Sequence, residues 1–262
     1  MNETMENSRN IALVSHGGAG KTSLSEVILF KTGVTKRIGR VEDGNTVMDF
    51  EPEEIKRNAS LSSGFAQYVW DKHTVTIIDT PGDQNFFTDT KLCMQAADSI
   101  AVLVDAVDGV KVQTEQAMEF AKDFNTPCMI FINKLDRERA DFARTLQDIT
   151  DSLEIKPITL HLPIGSEDDF KGVVDLVAMK AYIYNEAGRA TASDIPGDMQ
   201  DQVESEREKL IEDVAEADDE LIERYLEGEE LSDNDIKSAL KKGVFTRTFA
   251  PVLCGSAIKG IA

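Results

Sequence analysis

Ser15-His16-Gly17-Gly18-Ala19-Gly20-Lys21-Thr22 decides the fold of this chain. The stretch fits the pattern G-x-x-x-x-G-K-[ST] at every required position but the first, where Ser15 stands for glycine. Asn10–Val14 before it reads as a buried strand, and Lys21–Phe30 after it as a helix. Glycines at 17, 18 and 20 leave backbone N–H groups free to converge on phosphate oxygens. The start of the helix adds the positive end of its dipole. His16, Gly17, Gly18, Ala19, Gly20, Lys21, Thr22 and Ser23 are therefore candidate phosphate-binding residues. Lys21 is expected to reach the β- and γ-phosphates and to act in catalysis, and Thr22 to ligate Mg²⁺.

Three further segments fall at strand ends downstream. Asp79-Thr80-Pro81-Gly82 follows the apolar run Thr74–Ile78. A carboxylate there is costly unless something pairs with it, and a magnesium ion is the natural partner for Asp79. Gly82 can offer its N–H to a γ-phosphate, a contact that only a triphosphate supports. Asn133-Lys134-Leu135-Asp136 follows Cys128–Asn133, a predicted strand. Asp136 can accept from the two adjacent N–H groups of a guanine edge, which adenine lacks. Lys134 can lay its stem along a base plane, and Asn133 can tie neighbouring loops together. In Gly255-Ser256-Ala257, the Ser256 and Ala257 N–H groups can meet a guanine carbonyl.

Strands alternate with helices up to Leu153. Phe65–Trp70 and Thr74–Ile78 read as paired strands, Ser99–Asp105 and Cys128–Asn133 as further strands, and Asp89–Ala97, Gln113–Phe124 and Phe142–Leu153 as helices. That order predicts an α/β class, with a doubly wound, mostly parallel sheet whose strand C-termini share one ligand-binding edge. Residues 31–62 read as a long irregular loop, functional or mobile. After Leu153 the pattern changes to strands over Thr159–Ile164 and Val173–Tyr184. An acidic helical run follows, then a capping box at Ser232 and Asp235 opening Ile236–Lys242, then a strand over Pro251–Cys254. The expected organisation is residues 1–165 as the first part of the nucleotide domain, 166–248 as an inserted acidic α+β subdomain and 249–262 as its last strand and loop.

The net charge is −20, with 17 acids against 3 bases between Asp198 and Asp235. Such a chain is no nucleic-acid wrapper, because phosphate contacts need Lys and Arg, so no DNA partner is expected. The acidic stretch reads either as a solvated helix face or as a surface that steers a basic partner. The polar start and the short first apolar run exclude a signal peptide or membrane span there. Cys93, Cys128 and Cys254 show no disulfide or zinc spacing, which fits a reducing cytoplasm.

On these motifs the sequence resembles the translational GTPases of the elongation factor G type. The resemblance also rests on Asp105-Ala106-Val107-Asp108-Gly109-Val110, Leu162-Pro163-Ile164-Gly165 and Gly172-Val173-Val174-Asp175-Leu176. It implies a G domain with a G′-like insertion, GTP and GDP with Mg²⁺ as ligands, and the ribosome as partner. It further implies contact of the insertion with the ribosomal stalk protein, and further domains after Ala262. Where the family carries Arg-Gly-Ile-Thr, whose threonine ligates Mg²⁺, this chain has Arg57-Asn58-Ala59-Ser60, so Ser60 is the expected ligand. Gly18 replaces an aspartate. Asp83 replaces the histidine that orients the attacking water and stands at the catalytic position. An anion beside a γ-phosphate predicts slow hydrolysis. Two rivals stay open: a nucleotide-gated binding module with little or no GTPase activity, and a P-loop ATPase or kinase, against which Asp136 speaks.

Overall fold

The computed structural model describes residues 7–185, 188–229 and 231–261. Its elements are β1 (Ser8–Val14), α1 (Lys21–Lys31), α2 (Pro52–Arg57), β2 (Gly64–Trp70), β3 (His73–Asp79), α3 (Phe87–Ala96), β4 (Ser99–Asp105), α4 (Val112–Phe124), β5 (Cys128–Asn133), α5 (Phe142–Ser152), β6 (Lys156–Thr159), β7 (His161–Ile164), β8 (Gly172–Asp175), β9 (Lys180–Tyr184), β10 (Ala190–Ser193), α6 (Gln200–Ala215), α7 (Asp219–Leu226), α8 (Asp233–Thr246) and β11 (Phe249–Cys254). Seven strands form one sheet in the order β2-β3-β1-β4-β5-β11-β6. All its pairings are parallel except that of β2 with β3.

β4 and β5 are near-continuous apolar runs because both faces of the sheet are covered. Successive β1 residues split between them: Ala12 and Val14 join a core with Phe87, Met94, Ala117 and Ile149 from α3, α4 and α5. Leu13 faces the other way and packs with Leu29 of α1, Ile77, Leu103 and Phe131. The parallel register brings Val14, Asp79, Asp105, Asn133 and Cys254 to one edge of the sheet. The loops carrying the expected site residues leave from that edge.

The second sheet is antiparallel, in the order β10-β9-β8-β7, and begins at His161. Its residues Leu162, Ile164, Val174 and Ala181 share a core with Val203 and Leu210 of α6, Leu221 of α7 and Ile236 of α8. The Val173–Tyr184 strand is in fact two, β8 and β9. Asp175 bends the chain by accepting from the N–H groups of Val177 (2.8 Å) and Ala178 (2.9 Å). The acidic helical run also breaks in two, where Asp218 caps α7. The Ser232/Asp235 capping box forms, and α8 runs on to Thr246. β10, wholly exposed, has no apolar pattern to announce it.

Residues 31–62, expected to be irregular, contain α2. Pro52 opens that helix and Glu51 and Glu54 form its capping box. Two buried carboxylates pin the rest of the segment. Glu26 of α1 accepts from the N–H groups of Gly39, Val47 and Met48. Glu54 accepts from Leu61 and Ser62, which holds its carboxyl below the usual range against the effect of burial. No helix among the described residues is long and apolar enough to cross a membrane. All three cysteines are free and buried.

Candidate functional site

A cavity of about 750 Å³ opens at the C-terminal edge of the main sheet. It is lined by His16, Gly17, Gly18, Gly20, Lys21, Thr22, Ser23, Ser60, Gly82, Asp83, Asn133, Lys134, Asp136, Ser256 and Ala257. Of the sequence-predicted site residues only Ala19 and Asp79 do not line it, and both are buried. Segments from opposite ends of the chain thus meet in one place.

The loop between β1 and α1 is shaped by glycine. Gly20 has φ 98°, and a Cβ there would collide with the Asn133 amide. Gly17 donates its N–H to the Gly82 carbonyl at 3.0 Å, so the loop after β3 is stitched to the glycine loop. Lys21 curls over the same loop, donating to the carbonyls of His16 (2.9 Å) and Ser15 (3.2 Å). Burial pushes its pKa down to about 8, while Asp79 and Asp49 pull it back up.

Asp79 is the most strained charge of the site. It is buried, and neither of its oxygens has a hydrogen-bond partner among the described residues. Burial pushes its pKa up to about 7, although the Thr22 hydroxyl and the Lys21 ammonium favour its ionised form. Thr22 and Ser60 stand side by side, with their hydroxyls 3.3 Å apart. Asp49, which sequence reasoning missed, is buried in the same corner, and one of its oxygens is unpartnered too. Unsatisfied carboxylates beside two hydroxyls are the all-oxygen donor set that suits a hard divalent cation such as Mg²⁺. His16, Asp105 and Asp108 also bring donor atoms within 4.8 Å of one another. There, however, both Asp105 oxygens are engaged, by Lys134 and by the N–H groups of Val107 and Asp108.

At the other end of the cavity, Asn133 ties two loops together. Its amide donates to the Ala19 carbonyl and its oxygen accepts from the Ala257 N–H, both at 2.9 Å. Lys134 is gripped by Asp105 at 2.6 Å, which fixes the direction of its stem. The Asp136 carboxylate makes no hydrogen bond or ion pair among the described residues. The last loop differs from expectation. The Ser256 N–H donates to the Ile261 carbonyl at 2.7 Å and the Ala257 N–H to Asn133. Both donors are spent on folding the loop. Ile258, missed in the sequence, lines the cavity with an N–H that has no partner among the described residues.

Asp83 also lines the cavity, with one of its two carboxylate oxygens occupied. Its Oδ1 accepts from both the backbone and side-chain nitrogens of Asn85, each at 2.8 Å. It thereby caps the short 3₁₀ turn Gln84–Phe86. Gln84 lines the cavity beside it, with its amide donating to Gln116 of α4 at 3.3 Å.

The family described as the elongation factor Tu GTP binding domain matches residues 6–262. A crystal structure of a protein from Thermus thermophilus superposes with a TM-score of 0.91 at 33% sequence identity. The alignment covers 97% of this chain and 38% of that one, so the chain spans well under half of that relative's length. The family binds GTP and GDP and is of the GTP-hydrolase type. This chain belongs to it, as a G domain of the translational GTPases.

Proposed function

We propose that the protein is a GTP-driven switch of the elongation factor G type, acting on the ribosome and turning over slowly by itself. The observation that carries this reading is the role of Asn133. One side chain locks the glycine loop to the last loop, so that Lys21 and Asp136 address opposite ends of one cavity. Lys21 would meet the β- and γ-phosphates, and Asp136 and Lys134 the base. Thr22, Ser60 and Asp79 would hold Mg²⁺, which when bound neutralises charge on the phosphates and keeps Asp79 ionised. Gly82, stitched to Gly17, would couple the γ-phosphate to the loop after β3. The division into residues 1–165, 166–248 and 249–262 belongs to the same proposal, with β7 as the strand that leads into the insertion. Single-turnover hydrolysis of GTP with and without ribosomes tests it. A slow basal rate that ribosomes raise supports the reading, and a rate indifferent to ribosomes contradicts it. The nucleotide-gated binding module is the second reading, favoured by the commitment of Asp83 to a helix cap.

Ser60 reaches Thr22 from the segment pinned by Glu26 and Glu54. Order near Arg57 is therefore expected to depend on the γ-phosphate. Limited proteolysis should cut there faster with GDP than with a non-hydrolysable GTP analogue. Ser60→Ala should erase that difference, and equal cutting in the wild type would exclude a switch.

The acidic helices α6 and α7 are proposed to face the ribosomal stalk protein. Their apolar residues Val203, Leu210, Val214 and Leu221 are buried internally, so apart from the exposed Leu226 at the end of α7 the outward face is mainly charged. Reversing the charges of Glu227 and Glu229 should slow association and flatten its salt dependence. On-rates unchanged across a salt series would leave only a solubility role. Glu230, next in the run, lies outside the described residues.

A further inference from the structure

We infer that Gln84, and not Asp83, positions the water that attacks the γ-phosphate. This inference rests on the GTPase reading above. Three polar residues follow Gly82, and two of them, Asp83 and Asn85, bond to each other. Both Asn85 nitrogens bond to one oxygen of Asp83, and Asn85 does not line the cavity. The Asp83 carboxylate holds the 3₁₀ turn and carries a charge of the same sign as the phosphate it would serve. Gln84 differs on each count. It faces the cavity beside Gly82, it is neutral, and one end of its carboxamide is held by Gln116. The other end is free to bond to a water, because the Gln84 side chain has no other partner among the described residues.

The turn itself explains why the glutamine is presented. Capping by Asp83 closes Gln84–Phe86 into a tight turn at the mouth of the cavity, and Phe87, the next residue, is anchored in the core. Gln116 sits on α4, a helix packed on the main sheet through Ala117 and Ala121. A mobile side chain is thus fixed between a capped turn and a rigid helix. In phosphoryl transfer the protein contributes mainly by positioning, and a carboxamide that orients water suffices. The water oxygen bonds to Pγ as the bond from Pγ to the bridging oxygen breaks, leaving the electron pair on GDP. One water proton passes to a γ-phosphate oxygen and the other stays on the new hydroxyl, giving GDP and inorganic phosphate. Gln84 neither gains nor loses a proton, and Gln116 acts only through it, as a positioning residue.

Single-turnover hydrolysis of prebound GTP with Mg²⁺ tests the assignment, with the affinity for a fluorescent GTP analogue measured on every variant. Gln84→Ala should slow hydrolysis between about 10- and 100-fold with unchanged affinity. Gln116→Leu should slow it less, again without loss of affinity. Asp83→Asn, which keeps the cap and removes the charge, should speed it. Gln84→His should make the rate rise with pH through the imidazole range, where the wild-type rate has no such step. Gln84→Ala hydrolysing at the wild-type rate, or Asp83→Asn abolishing hydrolysis, would overturn the assignment while leaving nucleotide binding intact. Tight GTP binding with no hydrolysis at all would overturn it equally. Failure of the wild type to bind GTP would identify the underlying GTPase reading as the fault.

Discussion

Asp136→Asn should lower the affinity for GTP by about 100-fold or more, the usual scale for removing one partner of a buried, charge-assisted pair. The same variant should gain affinity for xanthosine triphosphate. The carboxylate accepts from two neighbouring N–H groups on guanine. An asparagine offers one acceptor and one donor, which suits the xanthine edge. The structure makes this a clean experiment. Asp136 has no partner among the described residues, so its replacement breaks no contact of the fold, and the Asn133 and Lys134 anchors lie apart from it. Displacement of a fluorescent GDP by each triphosphate measures the exchange. A variant that binds GTP as the wild type does would remove Asp136 from the base site.

Asp79→Asn should have opposite effects with and without ligand. Its folded pKa of about 7 lies above the ordinary aspartate value of 3.8, so the folded protein holds a proton that the unfolded chain releases. Stability conferred by that proton is complete at acid pH, falls as pH rises between these values, and is gone above about 7. At pH 8 the wild type therefore carries a buried anion whose desolvation outweighs the help of Thr22 and Lys21. Three pKa units at about 1.4 kcal/mol each set the upper scale of its cost. Asp79→Asn should raise the nucleotide-free Tm by ~5 °C or more at pH 8, and by less at pH 6. With GTP and Mg²⁺ the order should reverse, because only the carboxylate gains from the cation. Thermal melts at the two pH values, with and without ligand, decide the matter. A lower Tm for the variant under every condition would mean that Asp79 is stabilised by something other than the metal.

What the sequence disclosed follows the physics of each element. β4 and β5 have the bounds expected of them, because a parallel strand covered on both faces is a continuous apolar run ended by a polar residue, here Asp105 and Asn133. The cavity was legible for a related reason: the glycine loop and the two strand-end motifs need particular residue types at fixed spacing. Side-chain bonds between distant segments were not legible. Nothing local marks Glu26 as the acceptor for backbone 13 to 22 residues away, or Asp105 as the anchor of Lys134. The β8–β9 turn hid because Asp175 and the residues around it continue an apolar pattern, and only the bonds to Val177 and Ala178 reveal the bend. Asp83 was read by its position relative to a histidine in its relatives. Its actual work, capping one turn, depends on Asn85 two residues on.

On the proposed function, the cavity selects guanine nucleotides with Mg²⁺. Isothermal titration of the protein with GTP, GDP and ATP at matched Mg²⁺ tests it most directly. One site per chain is expected for GTP and GDP, with ATP binding at least ~100-fold weaker, since adenine leaves the Asp136 carboxylate without donors. Equal affinity for ATP and GTP, or binding that survives loss of both Lys21 and Asp136, would contradict it.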